Sequence, residues 1–260
     1  MDYWIATNDG QLHRFGIERV TCSVAITDPV ALTVNRDGSG CALLGQDGRV
    51  EAHGTFRHHG DLLDLQEKKR AVDIASMSTG DGYWIIDEQG NVFAFGDAQY
   101  FGGVPQVSLH SDLSVCIRST PSDDGYWIVD RSGGICGFGN IWFNGALADH
   151  SQFTGQIVDF APEQSGRGYF MLDNTGRVHA IGDIDHHGDA SNGKPSDAVA
   201  FIPGSLGYLI VDRRGAVLAY GDSIQRGSVV DEGTVVLAAG SPPVSSQGAV
   251  SASKPASLRQ

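Results

Sequence analysis

Two histidine pairs, His58 with His59 and His186 with His187, are the groups in this chain best suited to hold an ion, since adjacent imidazoles suit zinc or nickel. Each pair directly precedes a glycine, Gly60 or Gly188. Asp97, Asp183 and Asp222 recur in one slot with Asn140, and a carboxylate there invites calcium, which takes hard oxygen ligands. Asp183 with Asp185, and Asp123 with Asp124, are the carboxylate pairs that acid–base hydrolysis would need. No nucleophile or metalloprotease motif accompanies them: G-x-S-x-G, H-E-x-x-H and S-x-D-x-G-x-x-W are all missing. Tyr100 with Phe101, Trp142 with Phe143, and Gln225 with Arg226 occupy the slot of the histidine pairs. Aromatic rings there could stack on a sugar or on a partner surface.

Which of these groups can meet is decided by the elements that carry them. A glycine recurs at Gly10, Gly48, Gly90, Gly133, Gly176 and Gly215, a second follows six residues later at Gly16, Gly54, Gly96, Gly139, Gly182 and Gly221, and a third at Gly60, Gly102, Gly145, Gly188 and Gly227. The first repeat has Cys22 in the third position. A period of about 40 residues built from short strands and turns is the pattern of a four-stranded propeller blade. Before each first glycine runs YWIA, CALL, YWII, YWIV, YFML or YLIV, apolar without alternation, so both faces of that strand must be covered. Polar residues leading into glycine (ND-G, QD-G, EQ-G, RS-G, NT-G, RR-G) predict hairpins closed by a left-handed residue, which makes the six first glycines structural. Small residues follow at Ala52, Ala94, Gly137, Ala180 and Ala219, where neighbouring sheets can approach closely, while Arg14 departs from that rule.

One more strand precedes each hairpin, near residues 30, 72, 114, 157 and 198, but the first repeat lacks it. TVVLAAG at 234–240 has the same character and no hairpin after it. The expectation is an all-β chain: a single six-bladed propeller over 1–240, its ring closed by a C-terminal strand that completes the first blade and removes an open sheet edge. Residues 241–260 are rich in Ser, Pro and Ala with almost no large apolar residue and read as a tail or tether.

In such a ring the histidine pairs fall three blades apart, so they cannot share one ion unless both reach the axis. No metal and no cofactor are expected. The aspartate slot reads as local turn capping, because one carboxylate per blade lies a blade width from the next. Cys22, Cys41, Cys116 and Cys136 have no C-x-x-C spacing and read as small core residues rather than as bridges.

Composition agrees. Thirty-five glycines against 19% charged residues favour turns over helices, and a net charge of −13 argues against nucleic acid. Met1 is followed by no basic region and no long apolar run, so neither a secretory signal nor a membrane-spanning helix is expected.

GYWIIDEQGNVFAFGDAQYFGG (from Gly82) and GYWIVDRSGGICGFGN (from Gly125) resemble the GYWLV…GGVFAFGDA…YG repeats of actinobacterial proteins, which occur beside cell-wall hydrolase or surface domains and in phage proteins. The resemblance covers residues 1–240. It is weaker in the first two repeats, where Cys41 replaces the tyrosine and Ile17 and Thr55 replace the Asp of GDA. It implies a propeller in a virion or cell-surface setting and no catalytic residue. The expected function is therefore a non-enzymatic structural or recognition module, joined to other subunits through 241–260. Its candidate contacts are Tyr100, Phe101, Trp142, Phe143, His58, His59, His186 and His187. A cell-wall lectin is the alternative, and a propeller hydrolase or lyase acting at the axial mouth is the third reading.

Overall fold

A computed structural model describes residues 2–242 apart from 17, 27, 66–68, 108–112, 148–152, 154, 164, 192–196, 205, 231–233 and 241. The segment 243–260, read above as a tether, lies outside the described residues. Among the described residues nineteen strands form six antiparallel sheets. Blade 1 joins both ends of the chain, with Tyr3–Thr7 (β1), Gln11–Phe15 (β2) and Val20–Ser23 (β3) extended by Val236–Gly240 (β19). Blade 2 holds Pro29–Val34 (β4), Gly40–Gly45 (β5) and Val50–Gly54 (β6); blade 3 holds Ala71–Ser76 (β7), Gly82–Asp87 (β8) and Val92–Gly96 (β9). Blade 4 holds Ser114–Ser119 (β10), Gly125–Asp130 (β11) and Ile135–Gly139 (β12); blade 5 holds Ile157–Pro162 (β13), Gly168–Asp173 (β14) and Val178–Gly182 (β15). Ala198–Pro203 (β16), Gly207–Asp212 (β17) and Val217–Gly221 (β18) make blade 6. The first strands pack in the cyclic order β19, β4, β7, β10, β13, β16 around one axis. The chain is a six-bladed β-propeller closed by its C-terminal strand, with Ile5 opposite Ala239.

Six apolar clusters, one at every interface between consecutive blades, make up the core. This explains the unbroken apolar runs. Tyr3 and Ile5 pack against blade 6 while Trp4 and Ala6 pack against blade 2, so alternate residues of β1 serve opposite neighbours.

The six first glycines close their hairpins as expected. Gly90 has φ +77° and donates its N–H to Asp87 (2.9 Å). In blades 3 to 6 the turn begins with a buried aspartate, Asp87, Asp130, Asp173 or Asp212, whose carboxylate accepts N–H groups within the turn. Burial pushes Asp173 up, but hydrogen bonds from His179, Thr175 and two backbone N–H groups outweigh it and hold the carboxyl below its ordinary value. Its contribution to stability is present above the unfolded value and lost as pH falls through the lower folded one.

Five blades depart from the expected four strands. Among the described residues only blade 1 has a laddered fourth strand, with Leu12 opposite Cys22. Elsewhere an unladdered strap follows the third strand and carries the third glycine at positive φ, from +106° at Gly145 to +155° at Gly227. A tyrosine hydroxyl of the following blade takes the strap's backbone groups. Tyr126 Oη accepts from Phe101 and Gly102 N–H (3.1 Å each) and donates to the Gly102 carbonyl (2.6 Å). Tyr83, Tyr169, Tyr208 and Tyr3 clamp Gly60, Gly145, Gly188 and Gly227 in the same way. Between blades 1 and 2 both members are changed together: Cys22 stands in place of the glycine and Cys41 in place of the tyrosine. With no hydroxyl to bond, the segment there pairs as a strand instead. All four cysteines are free thiols, Cys41 and Cys116 buried and the other two half-buried.

Tyr126→Phe is expected to cost about 1–3 kcal/mol, because buried N–H and C=O groups of the strap lose their only partner. The urea midpoint would fall at constant slope. Burial, the leading cause, pushes Tyr126 and Tyr208 up to about 12 and also raises Tyr3 and Tyr83. The folded state therefore keeps phenol protons that the unfolded chain releases. Stability falls as pH climbs from the ordinary value of 10 towards 12, and the Phe variant should show a shallower fall.

Candidate functional site

The straps carry the histidine pairs and the aromatic candidates that the sequence singled out. The residue just before the strap glycine belongs to the frame. His59, Phe101 and His187 donate backbone N–H to the clamping tyrosine at 3.1, 3.1 and 3.3 Å, and their rings lie edge-on to Tyr83, Tyr126 and Tyr208. In blade 4 this position is Asn144, whose N–H reaches Tyr169 Oη at 3.0 Å. Trp142 and Phe143 are thus one residue out of step with Tyr100 and Phe101. Trp142 packs edge-on to Trp127, its carbonyl accepts the Trp127 indole N–H at 3.0 Å, and its own Nε1 is buried without a partner. It is a packing residue rather than a stacking platform.

Two residues before the strap glycine the picture reverses. His58, Tyr100, Phe143, His186 and Gln225 are all exposed, Tyr100 at 47% and Phe143 at 58%. One outward side chain per blade therefore stands on a fixed strap, and its type changes from blade to blade. The histidines do not converge: His58 sits 3.7 Å from Asp61 in blade 2, and His186 donates its Nε2–H to the Val178 carbonyl (3.0 Å) in blade 5. No group of three metal-ligating side chains lies together among the described residues. The aspartate slot is occupied differently from the expected side-chain cap. Asp97, Asp183 and Asp222 use their backbone N–H to bond the carbonyls of Asp81, Arg167 and Leu206; Asn140 adds a side-chain hydrogen bond to Asp124 (2.8 Å) and Asp183 an ion pair with Arg167 (3.7 Å).

The axis holds charges that periodicity did not reveal. Arg118, on β10, reaches to both neighbouring inner strands, to Asp73 on β7 (2.6 Å) and to Asp159 on β13. Burial, the largest influence, works against the guanidinium charge, but the two carboxylates more than restore it, and Arg118 stays protonated. Burial likewise pushes Asp73 up against the pull of Arg118. This bridge divides the channel. On the side where the first strands end, a cavity of about 130 Å³ opens between hydroxyls of Thr33, Ser76 and Ser119 and an apolar wall with Phe201, Pro203 and Pro242. Asp123, in a left-handed conformation at φ +58°, latches its rim by accepting Ser78 N–H and Oγ–H. Neither Asp183 with Asp185 nor Asp123 with Asp124 joins the axial charges.

No family model matches the chain, and no curated protein matches it. Among solved structures it is similar to a chain in the crystal structure of a nidogen/laminin complex, at TM-score 0.67 and 10% identity over 93% of this chain and 97% of that one. It is also similar to the Cps50 (Swd1) β-propeller domain of Myceliophteria thermophila, at TM-score 0.50 and 10% identity over 77% and 71%. At these identities the likeness concerns the fold. The class is β-propeller.

Proposed function

We propose that this chain is a non-enzymatic recognition module that works within a larger assembly, a virion or a bacterial surface, and binds a protein partner through the outward strap residues. One observation carries it: the position before the tyrosine-clamped residue is exposed in all five strapped blades and holds four residue types, His, Tyr, Phe and Gln, which is where a rigid scaffold places specificity. The axial charges, by contrast, are spent on one another. The setting rests on the resemblance of the GYW repeats. One similar structure comes from a nidogen/laminin complex, which is in keeping with a propeller that binds protein.

Tyr100→Ala with Phe143→Ala should reduce incorporation of the chain into its parent particle or envelope fraction at least tenfold, while thermal unfolding stays within a degree or two, since both rings are exposed. Unchanged incorporation would overturn the reading. The two rings stand on adjacent blades, which also favours a glycan ligand. A glycan array that binds the unmodified chain and loses signal with the double variant would select that ligand over protein.

A further inference from the structure

The two axial carboxylates hold more than Arg118. Asp73 accepts the N–H of Ile74 in its own strand (2.9 Å) and of Ile117 in the next blade (2.8 Å). Asp159 accepts Phe160 and Phe201 in the same way, at 2.7 Å each. These N–H groups lie on the inner edge of the ring, where no strand pairs with them, so they require another acceptor. Every first strand carries the same bulge, and Leu32 and Ala239 sit at the same place beyond it as Ile74, Ile117, Phe160 and Phe201. Their N–H groups therefore face the axis too. Blades 3 and 5 cover such a pair with Asp73 and Asp159, whereas blade 1 has Ala238 at that position. Leu32 and Ala239 both line the channel, on each side of the Arg118 bridge.

We propose that the axial channel binds a small uncharged ring compound through a carbonyl oxygen, which accepts the Leu32 and Ala239 N–H groups that a third aspartate would have covered. Three features set the chemistry. Paired donors call for an acceptor. Two aspartates against one arginine leave the axis negative, with Glu163 also at the mouth, so a carboxylate ligand is repelled. The cavity of about 130 Å³ is of the size that holds a single ring, and its Phe201 and proline wall suits an apolar ring face.

Benzamide, benzoate and toluene titrated into the ¹⁵N-labelled full chain at pH 7 test this. Benzamide should move the Leu32 and Ala239 amide protons downfield and saturably, with benzoate and toluene at least tenfold weaker. Ala238→Asn, which brings its own carbonyl to the pair, should abolish the benzamide response, and Ala238→Asp should do the same. Either amide unmoved by benzamide, benzoate binding as tightly, or a folded Ala238→Asn chain that responds like the unmodified one would each overturn the proposal. The titration of the unmodified chain decides the matter even if neither variant folds. The site does not depend on the strap reading: the Tyr100→Ala, Phe143→Ala chain keeps the benzamide response whether or not its incorporation changes.

Discussion

A chain ending at residue 233 is expected to lose cooperative folding, whereas one ending at residue 242 keeps it. The removed strand β19 supplies Val236 and Ala238 to the interfaces with blades 6 and 2, and it covers β1, every residue of which is buried. Burying one valine is worth about 1.5–3 kcal/mol. Opening the ring also uncovers the β1 edge and removes the packing of β19 against both β4 and β16. Together these losses consume much of the roughly 5–15 kcal/mol that holds a domain. Urea unfolding would show a broad, early transition for the shorter chain, with concentration-dependent association through the bare edge. A sharp transition at the original midpoint would mean that the ring does not depend on this strand.

Arg118→Met is expected to cost about 3–5 kcal/mol, since it leaves Asp73 and Asp159 buried with no countercharge. The loss should depend on pH. Asp73 already titrates above its ordinary value because burial outweighs Arg118, so the stability tied to it falls as pH rises from the unfolded value through the raised folded one. Without the guanidinium that rise is larger, and the variant should be much closer to the unmodified chain at pH 4.5 than at pH 7. Adding Asp73→Asn and Asp159→Asn should recover most of the loss, because an amide oxygen still accepts the inner-edge N–H groups without a charge. Replacing both aspartates by alanine should not, for it strands the N–H groups of Ile74, Ile117, Phe160 and Phe201. A variant as stable as the unmodified chain at every pH would show that the bridge holds nothing.

The glycine period was legible because every hairpin needs a left-handed residue at the same place, and the closing strand was legible because TVVLAAG had no hairpin of its own. Repetition shows what all blades share. It does not show what a residue meets across an interface, and so the tyrosines of the GYW phrase read only as part of an apolar run, whereas their hydroxyls clamp the straps of the preceding blade. The paired change of Cys22 and Cys41 was the available signal, since the strap glycine and the clamping tyrosine disappear at the same joint. Asp73, Arg118 and Asp159 stand in different blades and share no motif, so only the closed ring brings them together. Trp142 shares an aromatic type with Tyr100 but not its place, standing three residues before its strap glycine and not two. Counting back from Gly145 puts Asn144 at the clamped position and Phe143 outward, as the hydrogen bond to Tyr169 requires.

Blade 1 places Trp4 opposite Gly240, so the ends of the ring are neighbours although almost the whole chain separates them. That contact is the most distant in sequence, and forming it closes the largest loop in the molecule. Circular permutation makes the consequence measurable. If a short linker joins the old ends and the chain is reopened at the exposed Asp28, between β3 and β4, all the ladders of blade 1 become local and no ladder spans the new ends. Such a permutant should refold faster than the natural order at similar stability, because the slow step would no longer be the meeting of the two termini.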